Sequence, residues 1–469
     1  MDKEIINDIK NIVGENWVDT NPERVNNYSL ESTHEAYGLV APEPVTGSIV
    51  VKPAGKEEIS EIMKYANKND IKVIVKGGGT ALSANAVPEQ PLIILSMERL
   101  NEVLEVDEDN FVIKCQAAVT LGDLNETLQK EKFYFPLHPG EEGAHVGGMV
   151  VMNAGGVRAV RHGIMRNQVQ GMEVVLPTGE IVRYGGKTGK LVKDNAGYNL
   201  MQLMIGSEGT LGIITEVTLK IYKEPEVSGT LIISYDKRED AFKTVPEILK
   251  LGITPVAIEF VENKEIMAAA EEIGKNWPVE NGNAYLMIIL EEEDEDKLYD
   301  MGMKIDEVSE KLNARDMVIA QTTSEQQDIL DIRSHILPAI QDRLVDSPDT
   351  TVPPTEIDNF LEFVEKMEIE YDTEIPVIAH AGDGNMHLCI LKKDGEIPSY
   401  YEELKEKLYK KAIEMGGTIT GEHGVGKLRL KYLPLQFTSR ELDIMWQIKQ
   451  AFDPNNILNP GSEIFEPEK

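Results

Sequence analysis

Cysteine is nearly absent: the 469 residues hold only two, Cys115 and Cys389. Two thiols this far apart exclude a disulfide framework, and they fall short of the four ligands of an iron–sulfur cluster or a structural zinc site. A reducing compartment, the cytoplasm, is therefore expected. No apolar run approaches the roughly 18 residues that a membrane span needs. The opening, MDKEIINDIK, is charged where a signal peptide has its apolar core, so no export signal is read. Basic residues are outnumbered, 47 Lys and Arg against 81 Asp and Glu, a formal net charge of −34. That balance excludes nucleic acid, whose phosphates need lysine and arginine, and equally an anionic membrane surface. It keeps a chain soluble and could steer a basic partner; solubility is the simpler reading. Internal repeats and low-complexity tracts are missing too.

What remains is an ordinary globular composition, 41% hydrophobic, with length for two or three domains. Ile71–Val75, Leu92–Leu95, Phe111–Cys115 and Ile213–Leu219 are β-branched, apolar runs beside glycine-rich turns, and they predict strands. Lys56–Asn69 carries apolar residues at 59, 62, 63 and 66, the spacing of one helix face. After Pro225 the texture changes. Strands are expected at Leu231–Ser234 and Ala284–Leu290, helices at Glu239–Leu251, Lys297–Leu312 and Ile357–Tyr371, and a last helix at Ser439–Ala451. The acidic run Glu291–Asp296 reads as a solvated loop between strand and helix. The fold class is α+β, with domains expected at 1–224 and 225–415 and a C-terminal segment, 416–469, that returns to the first.

Three glycine-dense loops stand out. The first, Lys76-Gly77-Gly78-Gly79-Thr80, follows a predicted strand, where glycines let backbone N–H groups approach a phosphate. It is not the dinucleotide G-x-G-x-x-G, since residue 82 is leucine. The second spans 136–163 and the third is 205–212. One such loop is as easily a structural turn; three in one domain point to a long cofactor touching backbone at several places.

Two histidine motifs lie near the end, HAGDGNMH at 380–387 and GEHG at 421–424. His380 and His387 flank a Gly-Asp-Gly turn that can aim both imidazoles at one place. Two imidazoles and a carboxylate such as Glu422 make a metal site with open positions, and His423 is left free as a base. A lone histidine is most simply structural; the clustering argues otherwise. Gly421-x4-Gly426-Lys427 mimics a Walker A loop, but Leu428 has no hydroxyl for Mg²⁺ and no apolar strand leads in, so a nucleoside triphosphate is not expected.

The set KGGGTALSANAVP (76–88), HVGGMVVMNAGG (145–156), RHG (161–163) and IGSEGTLGIIT (205–215), with the two histidine motifs, resembles the FAD-binding vanillyl-alcohol-oxidase and p-cresol-methylhydroxylase (PCMH) superfamily. Within it, the chain is similar to the branch of glycolate oxidase flavin subunits, D-lactate dehydrogenases and D-2-hydroxyglutarate dehydrogenase. The resemblance implies a PCMH-type FAD-binding domain with a second α+β substrate (cap) domain. It implies an FAD site at Lys76, Gly77, Gly78, Gly79, Thr80, Ala81, Ser83, Pro139, Gly140, His145, Gly148, Asn153, Ala154, Gly155, Gly206, Glu208, Gly209, Ile213, Ile214 and Asn459. No histidine occurs in 76–88, so the FAD is expected to be non-covalent. His145 stands where many relatives have threonine or serine.

The resemblance makes His380, His387 and Glu422 ligands of a divalent metal (Fe, Zn or Mn), His423 the base and Arg333 the holder of the substrate carboxylate, a task suited to a planar fork of donors. Cys389 replaces an asparagine of relatives, and Leu337-Pro338-Ala339-Ile340 replaces polar groups of those that bind a second carboxylate. Both departures favour a short monocarboxylate. The expected activity is oxidation of lactate to pyruvate by hydride transfer to flavin. With no NAD fingerprint or haem motif in the chain, the electron acceptor is expected outside it; the similarity to flavin subunits of NAD- and ferredoxin-linked lactate dehydrogenases implies a two-subunit electron-transferring flavoprotein, with NAD and ferredoxin coupled behind it. A glycolate oxidase or D-2-hydroxyglutarate dehydrogenase subunit is the alternative, and a non-catalytic flavin-binding protein an alternative of another class.

Overall fold

The β-branched runs pair into sheets whose edges deliver the glycine loops to one place. In the computed structural model, which describes residues 1–469 except 139, 280, 465 and 467–469, the N-terminal half holds two main sheets beside a two-stranded ribbon of Phe133–Tyr134 and Tyr222–Lys223. The first has four strands in the order Val18–Asp19, Ile49–Val51, Ile93–Ser96 and Val73–Lys76. Its last three strands run parallel, and the helix Lys56–Lys68 supplies the crossover, burying Ile59, Ile62, Met63 and Ala66 as its periodicity predicts. The second sheet is antiparallel, in the order Val103–Asp107, Val112–Gln116, Ile213–Lys220, Val169–Val175 and Ile181–Tyr184. One apolar core runs between the two sheets. It takes in Ile457 and Leu458, where the C-terminal segment bridges in parallel to Val73. The expected return of the chain to its first half is real.

The second half is built on a seven-stranded sheet in the order Asp316–Ala320, Val227–Tyr235, Ala284–Glu292, Ala257–Glu262, Val377–His380, Asn385–Leu388 and Asp349–Thr351. Strand alternation splits its residues between two faces. Ile258, Phe260, Ala379, Met386 and Leu388 pack in one core with the helices Arg238–Lys250, Ile357–Tyr371 and Tyr401–Glu414. Ala257, Val261, Ile378 and Tyr285 pack in another with Asn263–Ile273 and Thr323–Ser334. The mixed helix and strand architecture matches the α+β expectation.

The acidic run is a correction. The strand extends to Glu292, and Glu291 is buried, its carboxylate 2.9 Å from Arg158 Nη1 and its carbonyl accepting from Arg161 Nη1 at 2.7 Å. Counting charge along the sequence missed that two arginines of the 158–161 segment draw this end of the strand inward. Only Glu293 and Asp294 form the exposed loop, and Glu295 and Asp296 already open the helix Glu295–Lys311.

Candidate active site

The three glycine loops meet around one cavity of about 1370 Å³, its open mouth included. Its wall includes Gly77, Gly78, Gly79, Thr80, Ala81, His145, Gly148, Ala154, Gly155, Glu208, Gly209, Ile213, Ile214 and Asn459. The fit to a long cofactor rests on how close the backbones come. A Cβ on Gly78 would stand 2.5 Å from the carbonyl oxygen of Gly143, whereas one on Gly148 would meet nothing within 4 Å and would project into free space. Gly79 takes a left-handed φ of +77°, which a side chain would strain. Asn459, at φ +42°, ties the wall together: its side chain accepts from Val75 N at 2.9 Å and donates to the Glu208 carbonyl at 2.8 Å.

Among the described residues, five of those expected at the FAD are not part of this wall. Lys76 is buried with its ammonium on the Leu30 carbonyl. Ser83 is buried, and its carbonyl accepts from Lys427 N. Asn153 caps the helix Val146–Met152 in a left-handed conformation, its side chain accepting from Arg166 N. Gly206 turns tightly against it, and Gly140 is not part of the wall. Pro139 lies outside the described residues. Glu208 lines the cavity, but its carboxylate accepts from Val425 N and Gly426 N, holding the GEHG loop to the third glycine loop. Those occupied amides also remove the anion site that the Walker-like spacing mimics. The His145 ring stands against Gly77, so an imidazole borders the first loop although that loop has none of its own.

At one end of the cavity the wall includes Glu422 and His423. Glu422 Oε1 lies 3.3 Å from both His380 Nε2 and His387 Nε2. The three side chains place one donor atom each within 4.8 Å of one another, a set that fits the expected metal. His423 stacks on His387, ring centroids 5.0 Å apart. Burial pushes the His423 imidazole down to about 4, against the pull of Asp349, so it is neutral and able to accept a proton at pH 7. Burial works to raise the Glu422 carboxyl, but His380 and His387 outweigh it and hold it well below the carboxylate range. Burial likewise lowers His380, and Glu259 and Glu422 more than reverse that.

Arg333, in the last turn of Thr323–Ser334, is brought to the same cluster through a carboxylate that the motifs did not reveal. Its Nη2 donates to Glu259 Oε2 at 2.6 Å, while His380 Nδ1 stands 2.7 Å from Glu259 Oε1. Arg333 Nε is buried without a partner, as a guanidinium waiting for a carboxylate would be. The second unforeseen carboxylate is Asp349, directly across the strand pair from His387. Glu259 had a signal in sequence, a lone carboxylate inside the apolar run Val256–Val261. Asp349 had none, because Asp346-Ser347-Pro348-Asp349 reads as a turn. Cys389 is fully buried in the apolar core, its thiol pushed up to about 12 by burial.

Known proteins carry the same architecture. Residues 224–462 match the family of FAD linked oxidases, C-terminal domain, and 47–185 match the FAD binding domain. The chain is 38% identical over 426 residues to a D-lactate dehydrogenase of Archaeoglobus fulgidus, covering 91% of this chain and 93% of the relative. It is 38% identical over 435 residues to the D-lactate dehydrogenase of Anaerostipes hadrus (91% and 90%) and 33% identical over 454 residues to glycolate oxidase subunit GlcD of Bacillus subtilis (95% and 93%). In fold it superposes on p-cresol methylhydroxylase with a TM-score of 0.79 at 17% identity, covering 98% of this chain and 96% of that one. Glycine loops converging on one cavity, a histidine cluster at its end and relatives matched over nine-tenths of the sequence lead to one conclusion: the chain belongs to the FAD-linked oxidase family.

Proposed function

We propose that this FAD-dependent enzyme is a 2-hydroxyacid dehydrogenase that oxidises D-lactate to pyruvate. The observation that carries the reading is the placement of Glu422 and His423 in the wall of the FAD cavity, with His380, His387 and the Glu259–Arg333 pair directly behind them. A 2-hydroxy acid presents a carboxylate and, one carbon away, a hydroxyl that must lose its proton. Arg333 has a buried, unpartnered Nε–H to offer the first. His423 is neutral and takes the proton of the second at Nε2, since its Nδ1 faces Asp349. Bound FAD supplies the two-electron acceptor, and a divalent ion (Fe, Zn or Mn) held by His380, His387 and Glu422 supplies a Lewis acid. Arg333 fixes the carboxylate so that the substrate carbon faces the cavity. The relatives at 38% identity are named D-lactate dehydrogenases, which favours lactate, and its D form, over glycolate.

The electron exit is part of the same proposal. Both cysteines are buried and apart, and no helix among the described residues is long and apolar enough to cross a membrane. A cytoplasmic two-subunit electron-transferring flavoprotein, coupling lactate oxidation to NAD and ferredoxin, fits a surface too acidic to dock an acidic ferredoxin directly.

One anaerobic experiment tests both halves. D-Lactate should bleach the flavin faster than L-lactate, glycolate or D-2-hydroxyglutarate; faster bleaching by glycolate defeats the substrate assignment, and no bleaching by any of them defeats catalysis. The isolated protein should then reduce dyes but not NAD, and NAD reduction should require the flavoprotein pair and reduced ferredoxin. Direct reduction of NAD would overturn that exit. A separate expectation concerns attachment: acid precipitation should release the FAD into the supernatant. Flavin retained in the pellet would point to a covalent bond and single out His145, the imidazole beside Gly77.

A further inference from the structure

Two fully buried carboxylates divide the cluster between them. Glu259, on the strand Ala257–Glu262, holds His380 Nδ1 at 2.7 Å and Arg333 Nη2 at 2.6 Å. Asp349, on the strand Asp349–Thr351, lies opposite His387 and beside His423: its Oδ1 is 3.9 Å from His387 Nδ1, and its Oδ2 is 3.9 Å from His423 Nδ1. Each carboxylate thus stands behind one imidazole that faces Glu422 and one residue that would handle substrate. We propose that Asp349 and Glu259 are positioning residues: Asp349 fixes the GEHG loop and the ring tautomer of His423, and Glu259 aims His380 and Arg333. This rests on the reading of the site as one for 2-hydroxyacid oxidation.

Asp349 makes the stronger case, because its oxygens do two things. Oδ2 accepts from three successive backbone amides, Gly421 N at 3.0 Å, Glu422 N at 3.0 Å and His423 N at 2.7 Å, and from Thr420 Oγ1 at 2.8 Å. Consecutive N–H groups converging on one oxygen form an anion nest, here filled by the protein's own carboxylate. It sets the Cα positions of both Glu422 and His423. Oδ1 accepts from Asn385 Nδ2 at 2.7 Å, tying the first histidine motif to the second. Gly421 has to be glycine, since a Cβ there would lie 2.3 Å from Asn385 Nδ2 and from Thr351 Oγ1. At 3.9 Å the imidazoles are beyond hydrogen-bond reach, so the hold on them is Coulombic: a negative oxygen facing Nδ1 favours the proton there and leaves the Nε2 lone pair outward. A carboxylate behind an imidazole is a general device for fixing orientation and basicity.

Glu259 works by direct bonds. A carboxylate shared between an imidazole N–H and a guanidinium leaves Arg333 two of its three nitrogens for other partners and prevents the side chain from swinging.

The test uses full-length, FAD-loaded protein. Asp349→Asn keeps an oxygen in the nest of amides but removes the negative charge that faces His423 Nδ1 and His387 Nδ1. It should retain FAD and bind pyruvate within about threefold of wild type, read by flavin difference spectra, yet slow flavin reduction by D-lactate about 10³–10⁴-fold. Glu259→Gln should weaken pyruvate at least tenfold, since Arg333 loses its anchor. Both should weaken Zn²⁺, titrated alone, about 10–100-fold. In wild-type protein with ¹⁵N-labelled imidazoles, His423 should carry its proton on Nδ1, and so should His380 with Zn²⁺ bound. Wild-type flavin reduction in Asp349→Asn, or unchanged pyruvate and Zn²⁺ binding in Glu259→Gln, overturns the corresponding role. So does a proton on Nε2 of His423, which decides the matter even if the variant fails to fold. The Zn²⁺ and imidazole measurements use no hydroxy acid. If D-lactate leaves the wild-type flavin oxidised, the substrate reading fails while these measurements still decide the positioning roles.

Discussion

Replacing His423 by asparagine is expected to slow flavin reduction by D-lactate by roughly 10²–10⁴, the usual contribution of a positioned general base. The structure gives reasons for both the size and the selectivity of the effect. His423 is buried and neutral, so the wild-type side chain is in its accepting form over the whole physiological range. Asparagine has nearly the same reach but no basic nitrogen. The backbone amide of His423 that donates to Asp349 survives the change, so the loop and Glu422 stay in place. Arg333 is anchored from the other side, through Glu259. Binding of pyruvate should therefore change little while the rate falls. Stopped-flow reduction and a flavin difference titration separate the two quantities. A reduction rate unchanged from wild type would remove His423 from the base role, and a parallel loss of pyruvate binding would recast it as a substrate ligand.

The parts of this site that were legible in sequence are those carried by contiguous residues. Glycine loops announce themselves because only glycine permits the close backbone approach at Gly78 and the left-handed turn at Gly79. HAGDGNMH announces a pair of imidazoles because two short strands, Val377–His380 and Asn385–Leu388, are joined by a turn that returns the chain on itself. The helix Ile357–Tyr371 was found to its last residue, and the other helices with a clear apolar face ended within one residue of where they were read. What escaped was whatever depends on sheet order. Glu259 meets His380 only because Ala257–Glu262 neighbours Val377–His380 in the sheet, more than a hundred residues away. Asp349 meets the GEHG loop through a sheet edge and an isolated bridge between Thr351 and Thr418. A carboxylate recruited across strands leaves no local pattern. Glu291 failed for the converse reason: local acidity looked like solvent exposure until Arg158 came to it across the two halves of the chain.

Removing the proposed metal should have an effect of similar size and a different signature. His387→Ala takes one imidazole from the three-donor set around Glu422 Oε1 and should lower D-lactate oxidation about 10³-fold, because a Lewis acid on the reacting group is worth several kcal/mol of barrier. FAD should stay bound, since His387 sits behind Glu422 on Asn385–Leu388 and is not part of the cavity wall. The deletion leaves Glu422 with His380 alone, and a carboxylate with one imidazole makes a much poorer site than a carboxylate with two. A chelator acting on wild-type protein should reproduce the loss, and adding back Fe²⁺, Zn²⁺ or Mn²⁺ in turn should restore activity to wild type but not to the variant. That asymmetry separates loss of a ligand from general damage, because a merely destabilised protein would lose flavin and would not be mimicked by chelation. Metal content measured on the same samples closes the argument. Full activity in wild-type protein shown to be free of metal would sink the metal assignment, and His380, His387 and Glu422 would then have to act by hydrogen bonding and charge alone.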